Sequence, residues 1–186
     1  MNGDQNEADH AMDAWLVTAA QGGDRRAIAL LARRWHRRLV AHGWRLTGER
    51  ALAEEAVQAA WIDIVRGLGR LRDERAFPAW AYRIVTRKTA AAIGDRVAGR
   101  ALAAALEKDA PPPPAGPEDA ADRSALRHAV ATLAPGHRAA VALHYFEGLS
   151  VAETAVALGI PAGTVKTRLM HARARLKAIL EGEDHA

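Results

Sequence analysis

Along most of the chain apolar residues return at steps of three and four, and no segment alternates with a period of two. Ile28, Leu31, Trp35 and Leu39 form one stripe, and Leu52, Ala56, Val57, Ala60, Ile64 and Leu68 form a second. Phe77, Trp80, Ala81, Ile84 and Val85 form a third. Further on, Leu126, Val130 and Leu133 precede a helix that opens near Pro135 and runs through Val141, Leu143 and Tyr145. The pattern predicts an all-α protein.

The last helix has two incompatible faces. Val165, Leu169, Ala172, Leu176 and Ile179 make an apolar stripe over residues 162–181 that must be buried. At 100° per residue Lys166, Thr167, Met170, His171 and Ala174 fall on the opposite side, flanked by Arg173 and Arg175. No acid occurs between Pro161 and Lys177, whereas a solvated helix of this basicity usually carries Glu or Asp one turn from its cations. Just upstream, Ser150 and Glu153 have the spacing of a capping box opening a short helix over 151–158, which Gly159 can stop in the left-handed conformation. A short helix, a tight glycine turn and a longer helix with a basic outer face are the helix-turn-helix pattern, in which the second helix enters the DNA major groove. A helical hairpin with a solvated basic face also explains the apolar stripe. It gives no purpose to small Thr167 and Ala174 beside an exposed Met170, residues suited to thymine methyl groups.

One stretch divides the chain. Lys108 to Asp122 contains four consecutive prolines at 111–114 and a further Pro117, which cannot continue a helix and suit an extended spacer. The expected organisation is a helical domain over 1–100, a flexible Pro-rich linker over 101–121, and a helix-turn-helix domain over 122–186.

Composition narrows the class. With 49% hydrophobic and 26% charged residues among 186, the chain suits a soluble globular protein of one or two small domains. No apolar run approaches the roughly 20 residues a bilayer requires, and the N-terminal MNGDQNEADHAMDAW is unlike a signal peptide, so a cytoplasmic location without membrane insertion is expected. With no cysteine the chain has no disulfide, thiolate nucleophile or cysteine zinc site, and its eight scattered histidines suggest no metal. There is no glycine-rich phosphate loop and no recognisable nucleophile, so neither enzymatic activity nor a cofactor is expected. The net charge of +4 matters less than its distribution. Arginines 25, 26, 33, 34, 37, 38, 45 and 50 crowd the start and suit a solvated face whose long side chains cover apolar surface. A second basic cluster runs from Arg66 to Arg100 against only Asp73, Glu74 and Asp95.

RLTGERALAEEAVQAAW at 45–61, LRDERAFPAWAYRIV at 71–85 and LHYFEGLSVAETAVALGIPAGTVKTRLMHARARL at 143–176 together resemble a group IV, or extracytoplasmic-function, sigma factor of the sigma-70 family of bacterial RNA polymerase. The resemblance spans nearly the whole chain apart from the linker and tails. It implies a protein that joins the clamp and flap of core polymerase and directs it to promoter DNA. On that pattern a region-two domain opens the minus-10 element and a region-four domain reads the minus-35 element.

The family's clamp-binding signature falls on Glu54, Glu55 and Gln58, and helical phase sets Ile62 on the same outward stripe as Glu55 and Gln58. Without the resemblance, a solvated acidic face fits those residues equally well. Opening of the minus-10 element falls to Arg72, Arg75, Arg83 and Arg87, which supply positive charge along a single strand, while Trp80 belongs to the core rather than to a stacking platform. Base reading at minus-35 maps onto Lys166, Thr167, Met170 and His171, and phosphate contact onto Thr164, Arg168 and Arg173. The chain departs from the family at Ala59, where Glu is usual, at Arg87, where Asn is frequent, and in AAAIGDRVAGR after Thr89. The resemblance also implies an anti-sigma partner. Two other readings stand beside it: a helix-turn-helix regulator that binds palindromic operators without polymerase, and a sigma-like adapter that binds only an anti-sigma factor.

Overall fold

The computed structural model describes residues 2–106 and 121–182, and among them there is helix but no strand. Eight α-helices follow one another: α1 (Asn2–Gln21), α2 (Arg25–Thr47), α3 (Arg50–Gly67), α4 (Phe77–Leu106), α5 (Ala121–Thr132), α6 (Pro135–Val141), α7 (Val151–Leu158) and α8 (Ala162–Glu181). Tight 3₁₀ turns over Leu68–Arg70 and Glu74–Ala76 join α3 to α4, and a π turn over Ala142–Phe146 extends α6. Helix α4 runs six residues into the segment read from sequence as linker, and the four consecutive prolines lie outside the described residues. None of the described helices is long and apolar enough to cross a membrane.

Trp35 organises the first half. Its indole is 1% exposed and meets Phe77 edge to face at 5.4 Å and Tyr82 at 5.7 Å. Leu31 and Leu39 of α2, Val57, Ala60 and Ile64 of α3, and Ala81 and Val85 of α4 surround these rings. The three periodic stripes thus converge as expected, with Leu52 and Ile28 only half-buried and Ala53 buried in their place.

Helix α1 was not foreshadowed by the periodicity, because its N-terminal turns are acidic and polar. Leu16, Val17 and Ala20 bury its last turns, and one buried carboxylate holds its middle. Asp13 accepts a hydrogen bond from the Trp35 indole nitrogen at 3.0 Å and pairs with Arg34 at 2.7 Å. Arg34 pairs with Asp9 at 2.5 Å as well, and this hydrogen bond holds the Asp9 carboxyl below its usual range. Part of the first arginine run is therefore fastened to the fold, with Arg38 also lying 4.5 Å over the Trp35 ring.

The second half has a smaller core of its own, built from Val130, Leu133, Ala140, Val141, Val165, Leu169 and Ala172. The two halves are not separate bodies. Leu143, Leu149 and Ala157 of the second half belong to the same buried cluster as Trp35 and Tyr82, and Ala139 and Ala142 pack on Leu46 of α2.

Candidate nucleic-acid interface

The first helix of the helix-turn-helix, α7, is closed at both ends by the devices its sequence suggests. The Ser150 amide donates to Glu153 at 2.8 Å while the Glu153 amide donates to the Ser150 hydroxyl at 3.2 Å, so two orphan donors of α7 are satisfied reciprocally. Gly159 ends α7 at φ +65°, and Pro161 then begins α8. Val165, Leu169 and Ala172 turn inward and anchor α8. Consequently Lys166, Thr167, Met170, His171 and Arg173 face solvent, Met170 with 52% of its surface free.

Lys166, Arg168 and Arg173 form no ion pair among the described residues, so this face carries uncompensated positive charge. The Thr167 hydroxyl donates back to the Gly163 carbonyl at 3.1 Å. Thr164 is half-buried at the start of the helix. Arg168 differs from its neighbours. Its guanidinium lies across the first turn of α6, where a Cβ on Gly136 would fall 3.0 Å from Nη1, so it is half-buried against the protein and packs as much as it projects. The His171 ring sits 5.9 Å from His137, also on α6, in edge-to-face contact. His137 was missed from sequence, since a lone histidine beside a proline turn carries no periodic signal.

In the first half Arg72, Arg75, Arg83 and Arg87 are all exposed. The loop that carries Arg72 and Arg75 is held from two sides. Asp73 accepts from the Arg75 amide at 3.0 Å, and Gln21 of α1 donates to the carbonyls of Leu68 at 3.0 Å and Leu71 at 2.8 Å. Gln21 is thus a second residue the sequence did not flag. Trp80 packs on the first core, with its ring against Gly67, where a Cβ would come within 2.9 Å. Lys88 pairs with Asp63 at 2.9 Å, and that hydrogen bond, with lesser help from Arg87 and Arg66, holds the Asp63 carboxyl below its usual range.

On α3, Glu55, Gln58 and Ile62 form an exposed stripe, Ile62 with 54% of its surface free. Val65, 45% exposed, lies one turn beyond and extends the apolar part. Glu54 stands at the edge of this stripe, half-buried and paired with Arg50 at 2.9 Å. Trp61 packs partly on the core. Among the described residues no group of His, Asp or Glu could hold a metal ion.

Comparison with known proteins places names on both halves. Residues 31–97 match the family model for sigma-70 region 2, and residues 123–176 match that for sigma-70, region 4. The ECF RNA polymerase sigma factor SigM of Mycobacterium tuberculosis is 36% identical over 170 residues, spanning 90% of this chain and 84% of that protein. Among solved structures, CnrH in complex with the cytosolic domain of CnrY superposes with a TM-score of 0.70 at 24% identity, covering 93% of this chain and 99% of CnrH. The sigma factor RpoE in complex with the anti-sigma factor NepR, from Bartonella quintana, gives 0.67 at 20% identity over 81% of this chain and 94% of RpoE.

Proposed function

For a chain that belongs to the extracytoplasmic-function branch of the sigma-70 family, we propose the activity of a promoter-specificity subunit: it joins core RNA polymerase, opens the minus-10 element with its first half and reads the minus-35 element with its second. The observation that carries this reading is the order of surfaces along one chain. An exposed Glu55, Gln58 and Ile62 stripe precedes four exposed arginines, and a recognition helix follows whose Lys166, Arg168 and Arg173 form no ion pair among the described residues.

Each surface has a role suited to its chemistry. The α3 stripe, with Glu54 at its edge, offers polar groups around an apolar centre, which suits docking of a partner helix from the polymerase clamp. Arg72, Arg75, Arg83 and Arg87 neutralise the backbone of the melted strand. Lys166, Thr167, Met170 and His171 contact base edges, while Thr164, Arg168 and Arg173 contact phosphate. Catalysis belongs to the polymerase. The domain limits that accompany this reading are 1–100, 101–121 and 122–186, and an anti-sigma protein is the proposed regulatory partner, as NepR is for RpoE of Bartonella quintana.

The test is selection from a randomised DNA pool by holoenzyme reconstituted from this chain and bacterial core polymerase. Recovery of a two-block motif that supports transcription in vitro is the expected result. Lys166→Ala or His171→Ala then loses about 1–3 kcal/mol of discrimination at particular bases of the upstream block. Equal loss on every sequence refutes base reading by those residues. Failure of the chain to co-purify with core polymerase refutes the proposal itself.

A further inference from the structure

Gly136 stands in a helix where alanine would serve the backbone better. It lies in the first turn of α6, in a helical conformation that needs no glycine, and a glycine there costs stability relative to alanine. What the missing side chain provides is room. A Cβ at this position would fall 3.0 Å from Nη1 of Arg168, 3.1 Å from its Cζ and 3.4 Å from its Nε, so the guanidinium occupies space that a methyl group would need. The next residue, His137, meets His171 with ring centroids 5.9 Å apart and planes at 73°, within the range that edge-to-face rings prefer. Arg168 and His171 stand three residues apart on α8 and so share a face of that helix. One turn of α6 therefore touches two side chains assigned to DNA.

That turn is fixed from beneath. The amides of His137 and Arg138 donate to the Ala134 carbonyl at 2.9 Å and 3.0 Å, and Arg138 Nη2 donates to the Leu133 carbonyl at 3.1 Å. Ala140 and Val141, further along α6, pack in the same buried cluster as Val165, Leu169 and Ala172 of α8. The two helices thus hold a constant separation, and whatever spans the gap between them is held as well.

We propose that Gly136 and His137 form a positioning platform for the recognition helix: His137 holds the His171 ring in the orientation that reads a base edge, and the bare Gly136 lets Arg168 lie in the orientation that meets a phosphate. The inference rests on the promoter-specificity reading above and adds to it two residues that act through others rather than on DNA. An exposed histidine or arginine on a helix occupies several rotamers, and binding must select one of them. Contacts made before DNA arrives remove that ordering cost, which for each side chain held corresponds to about 2- to 12-fold in affinity. His137 is half-buried while His171 is exposed, which suits a support and a reader respectively. Arg168 forms no ion pair among the described residues, so packing orients its guanidinium while no carboxylate competes for its donors.

The test uses holoenzyme reconstituted from the full chain and core polymerase, with the selected two-block duplex and its single-base variants. Gly136→Ala should weaken binding about 2- to 12-fold, equally on every duplex, although urea unfolding shows it to be at least as stable as wild type. A role confined to folding predicts the opposite, an unchanged or improved protein. His137→Ala should lose about 2- to 12-fold of discrimination, and only at the base where His171→Ala loses it. His137→Phe, which keeps an aromatic ring against His171, should restore it. Combined with His171→Ala, His137→Ala should change base preference no further.

Unchanged affinity in Gly136→Ala overturns the platform beneath Arg168. Loss at a different base, or full additivity with His171→Ala, shows that His137 reads DNA itself and overturns its positioning role. So does the absence of nuclear Overhauser cross-peaks between the His137 and His171 ring protons in the free chain while the holoenzyme still selects its motif. If wild-type holoenzyme selects no motif, the promoter reading fails and the platform falls with it.

Discussion

His42 should make this protein lose stability on mild acidification, by an amount that follows from its surroundings. It lies fully buried on α2, edge to face with Tyr82 at 5.1 Å, and Nε2 exchanges a hydrogen bond with the Thr86 hydroxyl at 2.9 Å while Nδ1 has no partner. Burial pushes its pKa down from 6.5 to about 3, and the nearby Arg45 adds to the effect. A histidine depressed in the folded state binds a proton only when unfolded, so stability falls as pH drops below the unfolded value. Between pH 7.5 and pH 5 the unfolded side chain passes from mostly neutral to almost wholly protonated while the folded one stays neutral. At 1.36 kcal/mol per unit the loss is about 2 kcal/mol. The result depends on the unfolded pKa alone, provided that the folded value stays well below 5.

The assay is urea unfolding at the two pH values for wild type and for His42→Gln, whose amide can take the place of Nε2 toward Thr86. The wild type should lose about 2 kcal/mol more than the variant between pH 7.5 and pH 5. Glu147 acts in the opposite sense. Burial raises its carboxyl pKa against the opposing pull of Tyr82, Arg45 and Arg38, so the folded form gains relative stability as pH falls through that raised value toward the unfolded one. Glu147→Gln therefore serves as the second reference. Equal pH dependence in wild type and His42→Gln would show that the histidine titrates in the folded protein, and the burial reasoning would be wrong.

Other expected outcomes follow from the second half. Leu169→Ala, at a site 4% exposed, should cost about 2–5 kcal/mol in urea unfolding, whereas Met170→Ala, one residue on and 52% exposed, should stay within about 0.5 kcal/mol and show its effect in DNA affinity. Gly159→Ala forces a side chain into φ +65° and should lose about 1–2 kcal/mol, read as a fall in Tm. Arg173→Ala should weaken holoenzyme binding about equally on all duplexes and reduce the slope of log K against log salt by about 1, in contrast to the base-dependent loss at Lys166.

Much of the fold was legible because amphipathic helices carry their burial pattern in the spacing of their residues. The stripes through Trp35, Ile64 and Val85, the Ser150 and Glu153 capping box, the stop at Gly159 and the outward set on α8 all require only a helical period and local hydrogen bonding. Helical phase could say which face Arg168 occupies, but not that its guanidinium would fold back over Gly136, since that contact joins residues of different helices. The same limit hid α1. Its anchor is one carboxylate, Asp13, meeting an arginine and an indole more than 20 residues away, a pairing that leaves no local trace.

The junction between the halves is different, because part of its signal lies in the local sequence. Residues 139–143, Ala-Ala-Val-Ala-Leu, offer no polar side at any phase, and all five are buried. A helix apolar all round must be covered all round, so this turn had to lie between two bodies rather than on the rim of one. The structure shows how. Ala140 and Val141 face the second core, Ala139 and Ala142 face Leu46, and Leu143, carried round by the π turn, reaches the first core. Glu147 follows where that turn ends, so the backbone irregularity that aims Leu143 at Trp35 and Tyr82 also delivers the carboxylate to Arg45. Arg45 looked like one more solvated cation in a basic run, and Glu147 like a loop acid, 102 residues apart. Only the polar half of the contact was unreadable; its apolar half already required the two halves to meet.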